Sequence, residues 1–120
     1  MILFSSELEL PKNNNCEMNK LIIDATSDKI FLMVINNDNS QKITHENSKV
    51  NYEKLILLIN QFLKSMNLDL NKISKIYINR GPGSFAGIRN SISIVKAIHL
   101  ANKIDYYSFS FKDFILENEI

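Results

Sequence analysis

Cysteine is almost missing from this chain of 120 residues: Cys16 stands alone, so no disulfide closes within the chain, and no Cys/His cluster has the spacing of a zinc site. Both absences point to a reducing compartment. An excess of either charge is missing too. The 14 basic and 13 acidic side chains are interspersed and sum to +1, which offers no basic stripe to a phosphate backbone and no acidic tail to a basic partner. Strong direct binding to nucleic acid is therefore not expected. No apolar run approaches the roughly 18 residues that a membrane span requires, and the opening MILFSSELEL has no basic segment ahead of its short apolar stretch. The expectation is a soluble, cytoplasmic protein without membrane contact. Length adds one bound, since a chain of this size makes one domain whose single core buries about two-thirds of the unfolded surface.

What is present is patterned. Residues 1–18 end in PKNNNCEM, where Pro11 and three asparagines favour a turn or a flexible extension ahead of a single domain over 19–120. KLIIDATSDKIFLMVINND reads as two short strands, Leu21 to Ile23 and Ile30 to Ile35, joined by a polar turn, and SQKITHENS as a weaker third strand suited to a sheet edge. From Val50 to Met66, apolar residues at Tyr52, Leu55, Ile56, Ile59, Leu63 and Met66 recur at spacings of three and four, which predicts one helix. A strand over Lys75 to Asn79, a helix over Ser84 to Asn102 and a strand over Tyr106 to Phe109 follow, with Ser110 and Asp113 spaced as a capping box for a short last helix. The order βββαβαβ is an α/β fold of ribonuclease-H-like topology, the repeated half of actin-like ATPases. It predicts a mixed five-stranded sheet with helices on its faces.

All three glycines and both arginines fall in RGPGSFAGIR, between the fourth strand and the second helix. Pro82 restricts Gly81 towards extended backbone, glycine at 81 and 83 permits positive φ or the close approach of another backbone, and Ser84 is placed to cap the helix. Two readings stand side by side. The free amides of the helix start, with Arg80 and Arg89 nearby, would attract an anion or carboxylate; a tight strand-to-helix turn would use the same glycines for packing alone.

More specific motifs fail on residue identity. GPGSFA fits G-x-G-x-x-A, but the acid that should end the next strand is missing, because Asp105 precedes that strand and Phe109 and Ser110 end it. A P-loop lacks its lysine at Ile88, and a serine-hydrolase elbow lacks its first glycine at Pro82. A two-metal nuclease could draw on Asp24 and Glu53, yet Asn79 and Arg80 occupy the third acidic place, so no metal and no catalytic residue is assigned. The last helix is apolar on two sides, with Ile88, Ile92 and Val95 on one and Ile94, Ala97, Ile98 and Ala101 on another. Together with Leu57 on the first helix, Ile94, Ala97, Ile98 and Ala101 form the expected partner surface.

These residues carry a resemblance. LIIDATSDKIFLMVI is similar to the opening strand pair of the TsaB (YeaZ) family, and RGPGSFAGIR closely resembles that family's R-G-P-G-S-F-T-G-L-R, with Ala86 and Ile88 replacing Thr and Leu. The likeness runs from about Met18 to Phe109. It implies a Gcp-like, actin-like ATPase fold reduced to its amino-terminal half, the family's second subdomain being expected after Phe114. It also implies a scaffold without activity of its own, supporting the catalytic paralogue TsaD in threonylcarbamoyladenosine synthesis on tRNA. TsaE would join through that complex and tRNA would be met only indirectly. A homodimer through the same helices is implied as well. So is the loss of metal ligands, at Asn51 and Tyr52. The loop residues Arg80, Gly81, Pro82, Gly83, Ser84, Phe85, Gly87 and Arg89 are then structural or touch a partner or a nucleotide shared with TsaD, the chain having no cofactor of its own. The alternatives are a stand-alone nucleotide-binding or peptidase-like enzyme, and a decayed pseudo-subunit.

Overall fold

In the computed structural model, which describes residues 18–37 and 39–110, five strands form one sheet in the order β3-β2-β1-β4-β5. β1 (Asn19–Asp24), β2 (Lys29–Asn36) and β3 (Asn39–Glu46) make an antiparallel meander, to which β4 (Lys75–Asn79) and β5 (Asp105–Phe109) add in parallel with β1. The α/β class and the mixed five-stranded sheet are those expected. The amino-terminal extension before Met18 and the terminal helix beyond Ser110 lie outside the described residues.

Register follows from which residues must be buried. Leu21 pairs with Val34 and Ile23 with Leu32, so the inward side chains of β1 and β2 share one face; a slip of one residue would turn them all to the other side. β3 carries polar residues on both faces and is exposed along nearly its whole length, as an edge strand with few apolar residues can be. Asn37, at φ +53°, makes the β2–β3 turn in the left-handed region that asparagine tolerates better than most residues.

The connections set the layers. α1 (Lys49–Glu53), α2 (Leu55–Lys64) and a 3-10 turn at Leu70–Lys72 lead from β3 to β4, and α3 (Phe85–Asn102) leads from β4 to β5. Both crossovers join strands of one direction, and right-handed crossovers of that kind put their helices on the same face. Leu55, Ile59, Leu63, Val95 and Ile98 accordingly close one core with Leu21, Ile23, Ile30, Leu32, Ile76 and Ile78.

The helix expected over Val50 to Met66 is two helices. It starts one residue earlier, at Lys49, because Ser48 accepts a hydrogen bond from Asn51 N–H, and it breaks at Lys54 (φ −104°, ψ 10°). The Tyr52 carbonyl at that break accepts from Asn90 Nδ2 at 2.7 Å, so α3 binds an oxygen near the end of α1. α2 closes at Lys64, with Asn67 in the left-handed region and Leu68 N–H donating back to the Leu63 carbonyl at 2.9 Å.

Candidate functional site

The glycine loop leaves β4 at Asn79, and the turn after β1 holds it. Asp24, the last residue of β1, accepts at Oδ1 from the Thr26 N–H (3.0 Å) and the Thr26 hydroxyl (2.6 Å), and at Oδ2 from Asn79 Nδ2 (3.2 Å). Asn79 passes the connection on, its Oδ1 accepting from the Gly81 N–H at 2.9 Å. One step later Ser84 N–H donates to the Thr26 carbonyl at 2.7 Å. Asn47 braces the same turn from the other side, its Nδ2 donating to the Ala25 carbonyl at 3.1 Å and also to the Ser27 carbonyl.

Two glycines of the loop are there because this turn lies on them. A Cβ at Gly83 would land on the Thr26 carbonyl oxygen, and one at Gly87, inside α3, on the Ala25 carbonyl oxygen. Of the two readings left open by the sequence, close packing accounts for both. Gly81 departs from the expected extended backbone: its φ is +109°, and the peptide joining it to Pro82 is cis.

Ser84 caps α3 as its position suggested, its Oγ accepting from Gly87 N–H at 3.2 Å and lying 3.3 Å from the Tyr52 hydroxyl. The two arginines do not converge on the helix start. Arg80 donates its N–H to the Phe109 carbonyl at 2.8 Å and has Nη1 3.5 Å from Ser108 Oγ, so it faces β5. Arg89 lies 5.3 Å from the ring of Phe85, which is 73% exposed at the helix tip. Open sheets bind nucleotides in the crevice at the carboxyl ends of their parallel strands. Here Ala25 and Thr26 lie in that crevice, packed on Gly83 and Gly87, and Ser84 and Gly87 N–H are committed to protein acceptors. Asp24 is taken up by its three hydrogen bonds and Glu53 is exposed on α1; among the described residues no group of three His, Cys, Asp or Glu could hold a metal ion.

The expected partner surface divides. Leu57 on α2 is 49% exposed, and Ala97 and Ala101 on α3 are exposed. Ile94 is half-buried against the core, and Ile98, 4% exposed, belongs to the core itself. Position 98 falls on the same arc of α3 as the buried Ser91 and Val95, so Ile98 leaves the partner surface. With apolar residues on two sides of the helix, sequence alone could not tell which side meets the sheet. Sequence reasoning also passed over Leu100, 74% exposed beside Ala97 and Ala101, over Asn47, and over the bridging role of Asn79, which it weighed only as the missing third acid. His99, given no role, closes the end of α3, its Nδ1 lying 2.8 Å from the Ile104 carbonyl.

Comparison with known proteins adds four findings. The protein-family model described as TsaD: tRNA N6-adenosine threonylcarbamoyltransferase matches residues 34–112. The tRNA threonylcarbamoyladenosine biosynthesis protein TsaB of Buchnera aphidicola subsp. Baizongia pistaciae (strain Bp) is 33% identical over 70 residues, covering 51% of this chain and 32% of that protein. The protein of the same name from Buchnera aphidicola subsp. Schizaphis graminum (strain Sg) is 27% identical over 90 residues, covering 75% of this chain and 43% of its own length. Among solved structures, YeaZ from Pseudomonas aeruginosa matches with a TM-score of 0.71 at 18% identity, over 78% of this chain and 44% of that one, a likeness of fold alone. The chain thus spans about a third to under half the length of the relatives it matches.

Proposed function

Because this chain belongs to the TsaB (YeaZ) family and matches the family model described as TsaD: tRNA N6-adenosine threonylcarbamoyltransferase, we propose that it is a non-catalytic subunit in making threonylcarbamoyladenosine on tRNA. Its partner in this reading is the paralogous TsaD, TsaE joins through the complex, and tRNA is met only by way of it. The observation that carries the proposal is the outer side of the helical layer. A helix facing water alone keeps polar residues outside, whereas α2 and α3 present Leu57 and Leu100 to solvent, and the small Ala97 and Ala101 leave room for another helix to approach. A second copy of the chain would fit the same side. The glycine loop supports the reading from the other direction, since Gly83 and Gly87 serve the β1–β2 turn. A nucleotide at such an assembly would have to be shared with the partner.

The test mixes the chain with TsaD from the same organism and follows complex formation by size-exclusion chromatography with light scattering. A 1:1 complex is expected, weakened at least about tenfold, or about 1.4 kcal/mol, by Leu57→Asp with Leu100→Asp while the free chain keeps its melting temperature. Absence of a complex at tens of micromolar, or a complex indifferent to both aspartates, overturns the proposal.

A further inference from the structure

Basic and acidic residues are interspersed along the sequence, but the fold separates them. The helical layer, 49–64 with 85–103, carries six of the chain's 14 basic side chains (Lys49, Lys54, Lys64, Arg89, Lys96 and Lys103) and one of its 13 acidic ones, Glu53. All seven are exposed. α3 holds no acid even in its first turn, where a carboxylate would stabilise the helix, and Arg89 stands near that end, where a cation gains nothing from the helix dipole. Helix stability alone does not account for this charge. The cations of α3 are also ordered. Ala86, Asn90, Ser93, Ala97 and Leu100 recur at spacings of four and three, the seam of a coiled-coil heptad, and Arg89, Lys96 and Lys103 recur every seven residues along one flank of it. Asn90 reaches the Tyr52 carbonyl, so α1 borders the other flank. Apart from the half-buried Asn90 the seam is exposed, and it begins in an open hollow lined by Phe85, Ala86, Arg89, Asn90 and Ser93. Among the described residues none of the three cations of α3 meets a carboxylate; the Arg89 guanidinium lies over the Phe85 ring instead.

We propose that the element docked on α3 is a helix of the partner protein whose contact face is small or apolar and whose flank carries acidic residues one heptad apart, set against Arg89 and Lys96. This rests on the reading of the chain as a subunit that binds a protein partner, and it adds the chemistry of the surface received. Residues one heptad apart lie about 10.5 Å apart along a helix, so carboxylates at the same interval meet both cations at once. A second copy of the chain supplies no such row. Its helical layer brings Glu53 alone, and an antiparallel pair of α3 helices sets Arg89, Lys96 and Lys103 of one copy against those of the other. The charge thus decides between the two occupants that the exposed leucines leave open. A nucleic acid is the poorer fit, because its phosphates would engage the cations and leave Ala97, Leu100 and Leu57 without an apolar neighbour.

The test measures the affinity of the full chain for TsaD from the same organism by fluorescence titration at about 0.05 and 0.5 M salt, for the parent and for Arg89→Glu with Lys96→Glu. Raising the salt should weaken the parent complex at least about tenfold, and the double reversal should do the same at low salt, while the free chains share one melting temperature. A complex that forms but ignores both salt and the reversals overturns the charge assignment and leaves the subunit reading intact. A synthetic helical peptide reads the surface without TsaD: with an alanine and leucine seam flanked by glutamates it should bind the parent and not the double variant, and with lysines replacing the glutamates it should bind neither. Equal binding of the two peptides, or none by either at tens of micromolar, overturns the proposal whether or not TsaD binds. Binding of tRNA to the free chain that the two reversals abolish assigns the row to phosphates, and self-association that they abolish assigns it to a second copy. Either result overturns the proposal.

Discussion

Gly87→Ala sets two physical effects against each other. In an exposed helix the replacement of glycine by alanine stabilises by about 1 kcal/mol, so helix propensity by itself predicts a firmer α3. At position 87 the new methyl group would drive into the Ala25 carbonyl oxygen and stand 3.1 Å from Asn47 Nδ2. Neither neighbour is the free end of a flexible side chain: Ala25 is buried in the turn after β1, and the Asn47 amide is held by the carbonyls of Ala25 and Ser27. Relief therefore requires α3 to move away from the turn. Overpacking of this kind costs about 1–3 kcal/mol, and loosening the Asn47 hydrogen bond adds about 1 kcal/mol. The sum outweighs the propensity gain and leaves a net loss of about 1–3 kcal/mol. For a domain of this size each kcal/mol moves the melting temperature by about 4–8 °C. A fall of about 5–20 °C is expected by circular dichroism. An unchanged or raised melting temperature would refute the account of why glycine stands there, because it would mean that α3 does not rest on the β1–β2 turn.

Asn79→Ala should cost about 1–3 kcal/mol in urea unfolding, because it removes a donor to Asp24 and leaves the buried Gly81 N–H without its acceptor; a midpoint unchanged from the parent would rule out the bridge between the two strand ends. Ser84→Ala should lower stability by about 1 kcal/mol through loss of the α3 cap, and Ser84→Gly by only a few tenths; equal effects from the two would refute a capping role. Ile98→Asp places a charge in the core and should unfold the free chain, visible as loss of near-ultraviolet dichroism, whereas Leu57→Asp should shift stability by no more than about 0.5 kcal/mol. A folded Ile98→Asp chain would return Ile98 to the surface.

The elements were largely legible because they rest on local rules. Alternating side chains marked the meander, the three-and-four spacing marked α2 and α3, and Ser84 announced the start of α3 by its own chemistry. The break at Lys54 was not legible, since the Asn90 amide that binds the Tyr52 carbonyl comes from 38 residues further along the chain. Nor was the allocation of α3's two apolar sides, which placed Ile98 in the core and left Leu100 in water.

By itself, then, the sequence determined the order of the elements, the family and the place where glycine and arginine gather, because periodicity, capping and a short motif are properties of neighbouring residues. The tertiary structure alone decided what those glycines are for. The atoms nearest Gly83 and Gly87 belong to Thr26 and Ala25, more than fifty residues away, and only folding brings that backbone within reach. It likewise decided the fate of Asp24, which sequence analysis weighed as a metal ligand. Its carboxylate is turned inward by Thr26 and Asn79 to join the ends of two parallel strands.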